Sequence, residues 1–259
     1  MKPEHLAYWI HERESVREKK EAGCPKPWSE DPIFQGTYFC NVRREDDKVT
    51  KWIRENWPHH NVGLVVLARM FNLPSHLEQL APETGDWEGM KSCSKALREA
   101  GGKLFNGAYL ITTCGVKMDK VDYVYQVAQE ASKLNGHVEG LEGFHRMLTS
   151  VNGLGDFLAA QVIADLKNTK GHPLQYAQDW WTWAAPGPGS LRGIRCIEGF
   201  ERTSQGQFLP AMQQLQAQLE NEYAIPKIHA QDFQNCLCEF SKYAKVHGGG
   251  RDKRNYGGR

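Results

Sequence analysis

The sequence predicts a mainly α-helical protein, and three observations carry that expectation. Apolar residues recur at three- and four-residue spacing through most of the chain, as one buried helix face requires. Asp, Ser, Gly and Pro fall at the ends of those periodic stretches, where helices start and stop. One segment, 104–115, reads as strand-like, and a buried helix accommodates it as well.

With 259 residues the chain can bury one large core or fold as two lobes. Charged residues make up 24% of it, yet the formal net charge is only +1. A nucleic-acid surface must then be a local basic face, and the near-neutral balance counts mildly against a purely electrostatic, high-density nucleic-acid binder. Seven cysteines, an odd number, lack paired Cys-x-x-Cys knuckles, and Cys236-x-Cys238 has no second half-site. Reduced thiols and no zinc or other metal centre are expected. The charged start and the short apolar run near 64–68 point to a soluble, cytoplasmic chain without a membrane partner. These residues contain no Gly-x4-Gly-Lys-Ser/Thr loop, so the chain is not itself a P-loop kinase.

Taken in order, 5–22 forms a charged amphipathic helix with Tyr8, Trp9 and Val16 inward and Glu14, Arg17 and Glu18 outward. Cys24-Pro25 breaks it, and Ser29-Glu30-Asp31-Pro32 signals a new start. Tyr38-Phe39-Cys40-Asn41-Val42 then gives way to six consecutive charges, Arg43 to Lys48. A solvated helix start explains the charges; a cleft edge explains Arg43 and Glu45 following a buried-looking run. Helices follow over 62–71, 77–80, 87–100 and 119–134.

The stretch 148–166, LTSVNGLGDFLAAQVIADL, joins two apolar helices, 140–148 and 156–167, through Asn152-Gly153-Leu154-Gly155. Glycine on both sides of Leu154 allows a tight turn and bares backbone N–H groups at a helix start, where an anion is favoured. This resembles a helix-hairpin-helix element, which grips a DNA phosphate without reading sequence. Next, Asp179-Trp180-Trp181-Thr182-Trp183 leads into Pro186-Gly187-Pro188-Gly189-Ser190, expected as a non-helical turn beside Arg192 and Arg195. Helices over 207–222 and 229–244 close the chain. The domain expected is 1–246, with a hairpin lobe at about 119–200, followed by a basic Gly-rich tail over 247–259 that includes Arg251.

Four stretches together resemble one family: 39–53, 151–166, 179–193 and 234–256. The family is that of the alpha-glutamyl/putrescinyl thymine pyrophosphorylases, bacteriophage amino acid:DNA transferases of thymidine hypermodification. They are related to the helical domain of 5-hydroxymethyluracil DNA kinases. The resemblance implies a helix-hairpin-helix DNA-glycosylase-like fold, with two helical lobes around a cleft, in the cytoplasm of an infected bacterium. It also implies double-stranded DNA carrying phosphorylated 5-hydroxymethyluracil as substrate, an amino acid or polyamine as co-substrate, and functional coupling to a DNA kinase. No resident cofactor is implied, and escort of the leaving phosphate by Mg2+ stays open. By the glycosylase comparison Asp179 is the catalytic acid position. The hairpin offers no lysine nucleophile, which argues against strand cleavage through a Schiff base.

That chemistry assigns roles. The base is flipped against an aromatic wall, with Trp180, Trp181, Trp183 and Tyr38 as its members. Arg43, Arg192 and Lys242 neutralise the leaving phosphate. Asp179, Glu45 or Glu239 deprotonates the amine. Arg192 or Arg195 holds an amino-acid carboxylate, and Asn41 and Gln161 complete the substrate set. DNA is expected on Asn152, Gly153, Leu154, Gly155, Gly187, Gly189, Ser190 and Arg251. A second route would add a thiolate, Cys114 or Cys40, to the uracil ring. The alternatives are a glycosylase releasing the base, or a non-catalytic DNA-docking partner of the kinase.

Overall fold

The computed structural model describes residues 1–107, 111–134 and 139–250. Among them it is helical, with no β-strand. The helices are α1 (Pro3–Glu21), α2 (Pro32–Gly36), α3 (Lys48–Asn56), α4 (Val62–Phe71), α5 (Pro74–Leu77) and α6 (Trp87–Glu99). They continue as α7 (Lys120–Ser132), α8 (Gly140–Thr149), α9 (Asp156–Lys167), α10 (Pro188–Arg195), α11 (Phe208–Tyr223) and α12 (Ala230–His247). The mainly α expectation holds. None of the described helices is long and apolar enough to cross a membrane.

Local chemistry sets most starts. Asp31, Asn61, Asp86 and Asp119 each turn a side-chain oxygen onto a backbone N–H of the first turn, at 2.7, 2.8, 2.9 and 2.9 Å. Each such cap is worth about 1 kcal/mol. Pro occupies the first helical position of α2, α5 and α10, where the missing N–H costs nothing.

Four expectations are corrected. The helix expected over 77–80 is instead α5, Pro74–Leu77, with Pro74 at its first position and a turn after Leu77. The described part of 104–115 is irregular rather than strand or helix. Its polar groups are met locally: Asn106 donates its backbone N–H to Phe71 and its side-chain amide to Asn72, at the turn that ends α4. The Pro-Gly-Pro-Gly-Ser turn is instead the start of α10. Gly187 is the cap, and Ser190 Oγ accepts its N–H at 3.0 Å. Gly189 and Gly193, one turn apart, let α10 lie directly on α12. A Cβ at Gly193 would stand 1.9 Å from the Leu237 carbonyl oxygen, and one at Gly189 2.3 Å from Cys238 Sγ. Finally, Tyr8 faces out and donates to Asp31, while Glu14 and Arg17 turn inward.

The chain divides into two compact units: Met1–Asp47 with the chain from Trp181 onward, and Lys48–Trp180 between them. In the first, the apolar half of α1 joins α10, α11 and α12 around Trp9, Ile10, Ile194, Met212, Phe233 and Phe240. In the second, α4 is buried almost throughout and packs on α7 and α9. Gly63 permits that approach, since a Cβ there would meet the Ala128 carbonyl oxygen at 2.2 Å. Helices α8 and α9 form the expected hairpin inside this second unit. At its centre Arg69 holds Asp165 through both carboxylate oxygens, with Asn72 and Thr50 taking further guanidinium hydrogens. Arg69 is 1% exposed and Asp165 0%.

Candidate functional site

The hairpin turn is tight and half outside. Gly153 has φ +99°, a left-handed conformation suited to glycine, and a Cβ there would strike the Tyr123 hydroxyl at 2.6 Å. Leu154 is tucked in, its N–H donated to Val151, while Asn152, Gly155, Asp156 and Phe157 are exposed. His145 Nε2 lies 3.2 Å from the Asp156 carbonyl oxygen and ties the turn to α8.

Asp179 binds in the same unit. Its carboxylate accepts the backbone N–H groups of Leu141 at 2.6 Å and Glu142 at 3.0 Å, and so caps α8 from 38 and 37 residues downstream. Gly140, at φ +73°, leaves room for it, since a Cβ would fall 2.9 Å from Asp179 Oδ1. Beside it Trp180 donates its indole N–H to the Lys167 carbonyl at 3.0 Å. The Lys167 ammonium answers by donating to the Trp180 carbonyl at 3.1 Å and lies over the indole ring. Lys167 is fully buried, and Gln161 is 4% exposed.

The other unit assembles a denser polar site from segments nearly two hundred residues apart. Glu239, 4% exposed on α12, accepts the Cys40 N–H at 2.9 Å, and both its oxygens lie 2.7 Å from the Lys242 ammonium. Asn235 donates to the Asn41 carbonyl at 3.1 Å, and Asp232 accepts the Arg44 N–H at 3.0 Å. His229 accepts the Asp232 N–H on Nδ1 while its Nε2 meets the Asp232 carboxylate at 3.1 Å, which fixes the start of α12. From α1, Arg13 binds the carbonyls of Phe39 and Cys40 and the side chain of Asn41. Glu14 pairs with Arg17 at 3.0 Å and Arg43 at 2.9 Å. From α10, Ser190 Oγ accepts Gln234 at 3.0 Å.

Two buried atoms here, Glu14 Oε1 and Arg13 Nη1, have no hydrogen-bond partner among the described residues. Groups of that kind mark where a ligand or water completes a network. Arg192 is exposed near Cys238 and makes no ion pair among the described residues. Burial lowers the Lys242 pKa, but Glu239 more than offsets it, so the ammonium is held charged. Burial, with Glu239 adding to it, pushes the Cys40 thiol up to about 12. That burial disfavours the thiolate a ring-addition route would need at Cys40, whereas Cys114 is exposed. All seven cysteines are free.

Asn41, Arg43, Glu239 and Lys242 are therefore brought together, and Tyr38 and Glu45 lie on the same 38–47 segment. Gly187, Gly189 and Ser190 pack beneath, serving helix contact rather than a bare loop. Arg195 is drawn off to the Thr203 carbonyl at 2.8 Å. Asp179, Trp180, Gln161 and the hairpin belong to the other unit. Arg251 lies outside the described residues. Sequence reasoning missed Arg13, Asp232, Gln234 and Asn235, and it turned Glu14 and Arg17 outward. The available signal was that α1 beyond Ile10 has almost no apolar residue, so its inner face had to meet polar partners. Among the described residues no group of three or more His, Cys, Asp or Glu is placed to hold a metal ion.

The chain, helical among its described residues, belongs to a recognised family. The family model for the helical domain of 5-hmdU DNA kinase matches residues 3–250, so the chain is a member of that family. A relative described as a 5-hmdU DNA kinase, from Bacillus phage SP10, is 26% identical over 211 residues. The match covers 68% of this chain and 32% of that relative, so the chain corresponds to about a third of the longer protein. No solved structure matches.

Proposed function

We propose that this chain is a DNA-modifying transferase. It replaces the (pyro)phosphate on a phosphorylated 5-hydroxymethyl-deoxyuridine with an amino acid or polyamine. The observation that carries the reading is the network on α1, the 38–47 segment and α12. There one buried carboxylate, Glu239, holds the Lys242 ammonium, and Lys242, Arg192 and Arg44 all act electrostatically on Cys238, while Arg43 pairs with Glu14. Membership of a family named for a kinase of this nucleoside supports the substrate class.

In the reaction the amine nitrogen attacks the exocyclic methylene carbon. The new C–N bond forms as the C–O bond breaks, and the phosphate departs with the electron pair. Lys242 and Arg192 neutralise that leaving group, because cations meet phosphate oxygens with charge-assisted hydrogen bonds. A carboxylate removes the amine proton, Glu239 or Asp179 being the assigned bases. The exposed hairpin turn at Asn152 and Gly155 takes a strand phosphate at the start of α9. Mg2+ is an optional escort of the leaving phosphate, and the partners are the modified duplex, the amine and the kinase that phosphorylates the base.

Membership of the family of the kinase's helical domain favours one second reading, a DNA-docking helical module that presents substrate to a kinase. A single assay separates the two. Duplex DNA with phosphorylated 5-hydroxymethyluracil is incubated with the protein and a panel of amino acids and diamines, then digested to nucleosides. Amine-bearing nucleosides are expected. Binding without product supports docking, and abasic sites instead would identify a glycosylase.

A further inference from the structure

A short exposed tip stands beside the hairpin turn within Lys48–Trp180. Ile111 and Val121 are buried at its two ends, and every residue from Cys114 to Asp119 is exposed. Cys114 and Gly115 both take left-handed backbone, at φ +53° and +84°, which reverses the chain. The Val116 N–H donates to the Thr113 carbonyl and the Met118 N–H to the Val116 carbonyl, both at 3.0 Å, and these bonds hold the tip folded. Two apolar side chains are left in water there, Val116 at 42% and Met118 at 40% exposure, with the exposed Lys117 between them in sequence. Tyr123, 5% exposed, ties the tip to the hairpin. A Cβ on Gly153 would stand 2.6 Å from its hydroxyl, and the Cys114 thiol acts on the same hydroxyl, adding to the effect of burial. The acids that follow are engaged, Asp119 by Arg98 at 2.7 Å and Asp122 by Lys95 at 2.6 Å. Lys117 has no ion pair or hydrogen-bond partner among the described residues.

We infer that Val116 and Met118 enter the base stack of a DNA duplex while Lys117 meets a phosphate of its backbone. The inference rests on the reading of the hairpin turn as a strand-phosphate site, to which Tyr123 joins this tip. Burying the two side chains is worth roughly 1.5–3 kcal/mol each. That is comparable with the few kcal/mol, on the order of one step's worth, needed to unstack adjacent bases. A base drawn out of the duplex leaves a gap, and an unbranched, polarisable Met side chain adapts to fill an irregular one. Two side chains are too little surface for a protein partner, which needs about 800 Å² a side. An unneutralised ammonium between them matches a polyanionic backbone.

The test uses the full chain and a duplex carrying phosphorylated 5-hydroxymethyluracil next to 2-aminopurine, whose fluorescence rises when it unstacks. Binding of the wild type should raise it. In Val116→Ser/Met118→Ser the ratio of unstacked to stacked 2-aminopurine should fall about tenfold or more, because two apolar contacts are lost. In Lys117→Gln the slope of log affinity against log salt should shrink by about 0.9, the value for one phosphate. All three residues are exposed, so an unchanged melting profile will show that the variants are folded. A wild type that leaves 2-aminopurine stacked, or a folded double variant that unstacks it fully, overturns the proposal, as does an undiminished salt slope in Lys117→Gln. Unstacking without amine-bearing nucleosides would count against the proposed reaction and leave the tip's role standing. Product formed without unstacking would do the reverse.

Discussion

Two charged networks, one in each unit, look alike in composition and differ in enclosure. Arg69 and Asp165 in Lys48–Trp180 are fully buried, and the guanidinium has hydrogen-bond partners on Asp165, Asn72 and Thr50. The Glu239–Lys242 and Glu14–Arg43 network is only partly enclosed: Lys242 and Arg43 side chains are 26% and 35% exposed, and Glu14 Oε1 and Arg13 Nη1 are unsatisfied. A closed, satisfied network fixes helices, because removing either partner strands a charge in low dielectric. An open network with orphan atoms leaves polar capacity for something from outside. Enclosure, rather than charge content, separates scaffold from site.

The sharpest way to break this contrast is Asp165→Asn. It leaves Arg69 buried beside a neutral amide, and unfolding measured by urea should show a loss of about 3–5 kcal/mol. A loss under about 1 kcal/mol would mean the pair is not the structural closure described, and the contrast would collapse.

Glu239→Gln should cost less, about 1.5–3 kcal/mol, because it weakens charge-assisted hydrogen bonds to Cys40 and Lys242 without stranding a fully buried cation. Product formation in the nucleoside assay should nevertheless vanish. A folded Glu239→Gln protein with undiminished turnover would return this network to scaffold.

Asp179 sharpens the comparison within the second unit, since its carboxylate is already a helix cap. Asp179→Ala should lower stability by about 1 kcal/mol, whereas Asp179→Asn keeps one of the two accepting oxygens and should lose less. If Asp179 also acts as base, the Asn variant binds DNA as before and makes no product. Wild-type turnover in that variant would confine Asp179 to capping.

The smallest effect is a pH trend. His76 is buried between the Leu104 carbonyl, at 3.2 Å, and Ser94 Oγ, at 2.9 Å, and burial lowers its pKa below the usual histidine value. The unfolded chain therefore binds the proton first on acidification. The stability that His76 contributes is complete above the unfolded value of about 6.5 and is lost as pH falls below it. Melting curves across that range should show the slope in the wild type and less of it in His76→Gln.

Much of this was legible in the residues. Helix positions were, since periodicity and capping are local: Asn61 before 62–71, Asp119 before 120–132 and the glycine pair before 156–167 each declare a start within a few residues. The hairpin was legible for the same reason. Gly189 and Gly193 were not, because a glycine read alone suggests a turn, and only the partner helix reveals a surface cut to admit another backbone. Nor was the inward turn of Glu14 and Arg17, whose partners lie on the 38–47 segment.

Local rules thus determined that the chain is helical, where its helices begin, and that a glycine turn joins α8 to α9. Only the tertiary structure decided that Glu239 meets Cys40, that Asp179 caps α8, and that Tyr123 ties Cys114 to the hairpin turn. The physical reason is range. Capping and periodicity act over a turn or two, while the pairing of buried charge depends on which distant segment is folded against it.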